Sequence, residues 1–361
     1  MTRKILPCLA FLIALAIGDA MFSSPLTASG GSGGGTTTST SGVKWIGTLG
    51  GGSSQSYEVS SNGSVVVGYA SNASGQYRAF RWTATGGMKD LGDFGYAFAA
   101  AYGTSGDGSV VVGEAWNPRF EQRAFRWTAA GGLQDLGTLG GVYAVSADVS
   151  ANGLVIVGQA YDINSNNHAF RWTAASGMQD LGTFGGFESG AYAVSADGSV
   201  VVGAADAPGG QRHAFRWTAA TGMRFIGTLG GFESEAFGVS ADGSVIVGRS
   251  DTAASGRHAF RWTAAGGMQD LGTLGGVDSA AYDVSADGSV VVGDSSDASG
   301  MTRAFRWTPA NRMQSLSTLY SGSIGSGSYL TYANAVSADG LHVGGYGYNR
   351  RNARYEAYLT N

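Results

Sequence analysis

The sequence predicts an all-β fold, a seven-bladed β-propeller with four antiparallel strands per blade, and three observations predict it. The tripeptide Phe-Arg-Trp begins at Phe80, Phe125, Phe170, Phe215, Phe260 and Phe305, a spacing of 45 residues held without an insertion. An Asn-Gly or Asp-Gly pair punctuates every copy, at Asn62, Asp107, Asn152, Asp197, Asp242, Asp287 and Asp339. Such pairs tolerate positive φ, so a type I′ hairpin is expected at each. The run that follows, SVVVG at 199–203 in one copy, is continuously apolar rather than alternating. Both faces of that strand should therefore be buried, as in a sheet sandwiched between neighbouring sheets. Four strands in a 45-residue unit covered on both faces describe a propeller blade.

Taken in chain order, residues 1–20 read as a signal peptide. Arg3 and Lys4 precede an apolar run over 5–17, and Gly18-Asp19-Ala20 offers a small-x-small cleavage site. The run is short and broken by Pro7, which argues against a retained membrane span. Residues 21–42, rich in Gly, Ser and Thr, read as a flexible linker. The single cysteine, Cys8, lies in the leader, so the exported chain should have neither disulfides nor a thiolate nucleophile.

Residues 43–361 form the predicted propeller. In the clearest copy the strands fall at 191–196, 199–205, 212–219 and 223–228. The chain opens on a lone fourth-type strand at 44–50 and closes on three strands that lack a fourth. The offset predicts that the N-terminal strand pairs with residues 353–360, which would remove the open edges of the ring. The arginines of Phe-Arg-Trp are expected to pair with Asp90, Asp135, Asp180 and Asp270 across the next hairpin.

The segments HAFRWTAA, containing His168, His213 and His258, together with DLGTLGG and VSADGSVVVG, resemble the HAF-type extracellular repeat of bacterial surface and secreted proteins. The resemblance covers 43–361. It implies an exported repeat protein and says little about activity.

Composition excludes several functions. With 22 Lys plus Arg against 26 Asp plus Glu, no basic stripe is available for nucleic acid. The histidines recur at one repeat position, spread around the ring, so they are read as structural and no metal site or cofactor is expected.

Function on a repeat fold lies where the repeat is broken, in the loops. Phe187 with Glu188, Phe232 with Glu233, and Asp278 occupy equivalent loops of three successive repeats. Trp116, Arg119 and Phe120 share one second-to-third-strand loop, Tyr161 and Asp162 the next, and Tyr329 lies in the long final loop 321–332. Aromatic rings flanked by polar groups suit recognition of carbohydrate or of a surface protein. The chain is therefore expected to be a monomeric binding or adhesion module, periplasmic, at the cell surface or secreted. A glycan-directed hydrolase or lyase using Glu58, Asp148 and Asp283 is the alternative, although these three sit on scattered repeats. A structural spacer is a third reading.

Overall fold

The computed structural model describes residues 42–361 apart from Ala97 and Ser255. The expected leader and all but the last residue of the linker lie outside the described residues. Within them the chain is almost entirely β, with 28 strands and one short helical turn, Leu316–Leu319.

The fourth repeat shows how the sequence builds a sheet. Its strands are Ser189–Val194, Val200–Asp206, Arg212–Thr218 and Gly222–Phe225, paired antiparallel in that order. Val200, Val201 and Val202 are all buried, as the continuous apolar run requires. The glycine that ends the run sits opposite a bulge. A Cβ on Gly203 would lie 1.9 Å from the Gly190 carbonyl oxygen, so no side chain fits.

The Asp-Gly turns are not type I′. That form needs positive φ at both central residues, whereas only the glycine has it, for example Gly198 at 77°. Gly198 N–H donates to the Ser195 carbonyl at 2.9 Å, and Asp197 Oδ1 accepts from Ser195 Oγ and from Ser199 N–H. The aspartate thus builds the turn through its side chain rather than through an unusual backbone conformation.

Fourth strands are shorter than expected. The one predicted at 223–228 is Gly222–Phe225, and the N-terminal one predicted at 44–50 is Val43–Trp45. In most copies an aspartate ends the strand. Asp180 Oδ1 accepts from Gly182 N–H at 2.7 Å, and the positive φ of Gly182 turns the chain out of the sheet.

Five sheets have four strands and one has eight, a departure from four strands throughout. The long sheet spans the fifth and sixth repeats, and its two halves touch through one parallel bridge, Arg257 to Asp278. Arg257 N–H also donates to Asp278 Oδ1 at 3.2 Å, so loop ends join these halves rather than a ladder.

Strand Val43–Trp45 pairs antiparallel with Arg354–Thr360, in the sheet that also holds Val343–Asn349 and Tyr329–Val336. Between consecutive repeats lie apolar seams. Val65 and Val67 pack with Val111, Phe125 and Trp127, and Val66 and Phe80 pack with Ala335 and Leu359 near the other end of the chain. At the Asp-Gly end a circuit of backbone hydrogen bonds links all the repeats. Ser61 N–H donates to Gly106, Gly106 to Ala151, Ala151 to Ala196, Ala196 to Ala241, Ala241 to Ala286, Ala286 to Ala338, and Ala338 back to Ser61, at 3.0–3.2 Å.

The expected ion pairs of the Phe-Arg-Trp arginines do not form. Phe80 lies opposite Asp90 in the ladder and Arg81 opposite Lys89, so alternation turns Arg81 to the other face of the sheet. Its Nε donates instead to the Gly108 carbonyl of the next repeat's turn at 2.8 Å, as Arg261 does to Gly288 at 3.1 Å. The aspartates are met by the residue of the His-Ala-Phe position. Arg78 pairs with Asp90, Arg123 with Asp135, His168 with Asp180 and His258 with Asp270. At His213 the aspartate is replaced by Phe225, which lies opposite Phe215 in the ladder, and the imidazole lies against that ring at 4.5 Å.

Candidate functional site

Two kinds of connection share the end of the strands opposite the Asp-Gly turns: the links between repeats and the turns from second to third strand. Four consecutive repeats present an apolar side chain at the same position beside these links: Phe187 lies in its link, whereas Val142, Phe232 and Val277 stand on the first strands Gly140–Val149, Gly230–Val239 and Gly275–Val284, so that Phe232, Glu233 and Asp278 are not in the loops expected of them. Val142, Phe187, Phe232 and Val277 are 60%, 76%, 79% and 71% exposed. Ile163 at 83% and Phe120 at 65% add to them from second-to-third turns. Isolated exposed apolar groups are ordinary, but these recur at one position of successive repeats, at the same end of the strands.

Carboxylates stand beside the arc. Glu188 is raised above its ordinary range by burial and by the Asp206 charge, with Arg212 opposing. Glu233 approaches Arg257 at 3.5 Å, and Asp251 pairs with the same guanidinium at 3.0 Å. A cavity of about 570 Å³ opens here between Phe232, Asp251, Arg257 and Asp278.

Trp116 and Phe120 come together as expected, around a ring that the sequence reading passed over. Tyr96 stacks on Trp116 at 6.2 Å and lies 4.9 Å from Phe120, with Phe98 edge-on to Trp116. The Trp116 Nε1 is buried without a hydrogen-bond partner, and Arg119 is exposed at the turn. Tyr161 lies 4.7 Å from Tyr143. Asp162 shapes its own turn, accepting from Asn164 N–H and Asn166 N–H, bonds that hold its carboxyl below the usual range. Tyr329 stacks on Tyr348 at 5.5 Å and lies under the Arg303 guanidinium at 5.3 Å. The predicted residues thus share one face as an arc, not a single pocket.

A second variable register was missed because it lies on strands. The residue after each Val-Val-Val-Gly run or its counterpart is Tyr69, Glu114, Gln159, Ala204, Arg249, Asp294 or Tyr346. This position changes in nearly every copy of an otherwise uniform strand, and that is the signal that could have found it. Tyr102 donates to Glu114 at 2.8 Å and Tyr282 to Asp294 at 2.6 Å. Burial pushes Glu114 up to about 7 and Asp294 up to about 6, against those hydrogen bonds. Arg212 spans two repeats, reaching Asp206 at 2.9 Å and Glu235 at 3.2 Å, and Arg249 Nε donates to Glu235 at 2.7 Å. Burial works to raise Glu235, but Arg249 and Arg212 outweigh it and hold the carboxyl low.

On the first strands, Glu58, Asp148 and Asp283 are closer electrically than their scattered repeats suggested. Glu58 is pushed well up by burial and then by the charges of Asp283 and Asp148. Burial also lifts Asp148 to about 7 and Asp283 to about 6. Each aspartate bridges repeats through backbone donors. Asp148 accepts from Val149 and Val194, and Asp283 from Val284 and Val336. Around them run aromatic contacts, Tyr57 with Tyr102 at 5.1 Å, Tyr192 with Phe237 at 5.7 Å and Phe237 with Tyr282 at 5.8 Å. No group of three or more His, Cys, Asp or Glu among the described residues has metal-binding geometry. No helix among them is long and apolar enough to cross a membrane.

The chain matches no protein-family model and no curated protein. It is similar to solved β-propellers. The β-propeller domain of the trilobed protease from Pyrococcus furiosus matches with a TM-score of 0.58 at 10% identity, over 86% of this chain and 95% of that one. TolB from Acinetobacter baumannii matches at 0.52 and 14% identity, over 70% of this chain but only 63% of that one, less than two thirds of its length. A TolB-type protein from Agrobacterium tumefaciens matches at 0.50 and 14%, over 76% and 93%. The fold is therefore that of a β-propeller, and at such identities the likeness carries the fold alone.

Proposed function

We propose that residues 43–361 form a closed, seven-bladed propeller that is exported and works as a binding or adhesion module through the face carrying its inter-repeat links. The blade count and closure are supported by the hydrogen-bond circuit from Ser61 through Ala338 and by the pairing of Val43–Trp45 with Arg354–Thr360. Export rests on the leader-like residues 1–20, and the HAF-type repeats favour a bacterial surface or secreted setting. The single observation behind the binding role is the arc of Val142, Phe187, Phe232 and Val277, all at least 60% exposed. Next to three of them stand Glu188, Glu233 and Asp278. Apolar groups ringed by carboxylates suit a partner that offers apolar surface together with hydrogen-bond donors, whether a protein or a glycan.

The test is retention of the purified chain on immobilised matrix proteins and glycans, compared with Phe187→Ala/Phe232→Ala/Val277→Ala. Exposed truncations should leave folding intact and lower retention at least tenfold. Equal retention by the variant would remove the arc from the function.

One observation favours a hydrolase or lyase: burial raises Glu58, Asp148 and Asp283 alike, and the charges of Asp283 and Asp148 raise Glu58 further. Carboxyls raised toward neutral pH are what general acid–base chemistry uses. Against it, both aspartates already spend their oxygens on backbone N–H groups of two repeats. That is the behaviour of groups that hold first strands together.

A further inference from the structure

The 45-residue period is broken once. The Asp-Gly turns at Asp287 and Asp339 stand 52 residues apart, against 45 between Asp242 and Asp287. The extra length falls in the helical turn Leu316–Leu319 and the loop that follows, which together replace the usual link between repeats. A free Ser/Gly segment would behave as a tether, but this one is anchored. Leu316 is fully buried and Ile324 is 7% exposed, both in the core cluster that contains Leu330 and Tyr358. Anchored at both points, the loop borders, with residues of the sixth repeat, an open cavity of about 720 Å³. That size lies within the range of small-molecule sites, roughly 300–1,000 Å³.

We infer that this cavity is a binding site for a neutral saccharide unit, such as one sugar residue of a glycan. The inference rests on the proposal that this face of the propeller is the binding face, and it adds a ligand class.

The lining chemistry carries the assignment. Ser315, Thr318, Ser321 and Ser326 border the cavity. A hydroxyl both donates and accepts, and a sugar hydroxyl needs partners of both kinds. The charged groups present are Asp297 and Arg303, paired at 3.0 Å. Arg303 is held in place by three contacts, the Asp297 carboxylate, the Tyr329 ring at 5.3 Å, and the Met301 sulfur, which accepts from Nη2 at 3.3 Å. Nε and Nη2 supply those two hydrogen bonds, so the guanidinium keeps three of its five donors. Because Asp297 neutralises it, the site is a poor trap for a phosphate. A preorganised planar donor beside hydroxyls matches the vicinal hydroxyls of a sugar ring. Leu274, Ile324 and Tyr329 add apolar lining for the C–H face.

The test is titration of the purified chain with a panel of methyl glycosides of neutral hexoses and N-acetylhexosamines, with inorganic phosphate as a second arm, followed by ligand-observed NMR. At least one neutral glycoside should bind. Ser326→Trp, at an exposed loop position, should fill the cavity, and Arg303→Gln should remove the donors. Each should weaken that glycoside at least tenfold with the melting temperature of the Ser326→Trp chain unchanged. Leu154→Ala, at an exposed position on the Asn-Gly turn at the opposite end of the strands, should leave glycoside binding intact, and retention of the Ser326→Trp chain on matrix proteins should be unchanged, so the arc and the cavity can fail separately. Absence of glycoside binding, tighter binding of phosphate than of every glycoside, or binding indifferent to both cavity variants would overturn the assignment.

Discussion

The amide N–H of Ala338 donates to the carbonyl of Ser61 at 3.0 Å, joining the last repeat to the first and completing a chain of such bonds through every repeat between them. Backbone thus links the first and last repeats at the Asp-Gly end, and strand Val43–Trp45 pairs with Arg354–Thr360 at the outer edge.

If that edge pairing holds the ring, a chain beginning at Thr48 should be destabilised. It loses buried Ile46 and the Trp45 ring, which packs edge-on to Tyr358 at 6.2 Å. Full burial of one large apolar side chain contributes about 1.5–3 kcal/mol and Trp45 is partly buried, so a loss of well over about 1 kcal/mol in unfolding free energy is expected by urea titration.

Glycine substitutions should separate into two classes. A Cβ on Gly113 would stand 2.0 Å from the Ala100 carbonyl oxygen, whereas one on Gly132, at φ 62°, meets nothing within 4 Å. Gly113→Ala should cost roughly 3 kcal/mol or more, as overpacking against backbone does. Gly132→Ala should cost only about 1 kcal/mol, for the left-handed conformation alone. Thermal melts of both variants decide it.

The two arginine registers should differ in the same way. Asp180→Ala breaks an exposed pair with His168 and should change stability by less than about 1 kcal/mol. Arg261→Ala leaves the Gly288 carbonyl without its side-chain donor and should cost about 1–2 kcal/mol.

Stability should fall as pH rises from 5 to 8. Burial raises Glu114 from 4.5 to about 7, so the folded chain binds a proton that the unfolded chain has released. That contribution is complete below pH 4.5 and is lost as pH rises through about 7. Asp107 and Asp287, lowered to about 2 by hydrogen bonds from their turn serines and neighbouring backbone, act oppositely, losing stability as pH falls below 3.8. Urea midpoints should therefore peak near pH 4, and Glu114→Gln should shrink the decline toward pH 8.

Much of the architecture was readable because a 45-residue period, broken once, repeats each local signal: Val-Val-Val for a strand buried on both faces, Asp-Gly for a turn, and complementary ends for a pairing across the termini. What escaped was register and depth. Whether Arg81 or Arg78 meets Asp90 depends on the ladder placing Phe80 opposite that aspartate, and composition does not reveal alternation across a hairpin. Fourth-strand lengths depend on aspartate side chains that end them, as Asp180 does at Gly182. Of the site, Phe187 and Phe120 were found by attention to loops, and so was Phe232, although it stands at the start of a strand. Glu114, Arg249 and Asp294 were missed, because attention to loops passes over a strand position that varies. The cavity behind residues 320–328 depends on Ile324 anchoring a segment that reads as a linker.

The binding face is tested most directly by blocking one face at a time. Cysteine introduced at Phe232 or at Leu154, which is 63% exposed on an Asn-Gly turn at the opposite end of the strands, can be capped with a polyethylene glycol maleimide before retention on matrix proteins and glycans is measured. Modification at 232 should lower retention at least tenfold while modification at 154 leaves it unchanged. Retention lost at 154 and kept at 232 would contradict the account.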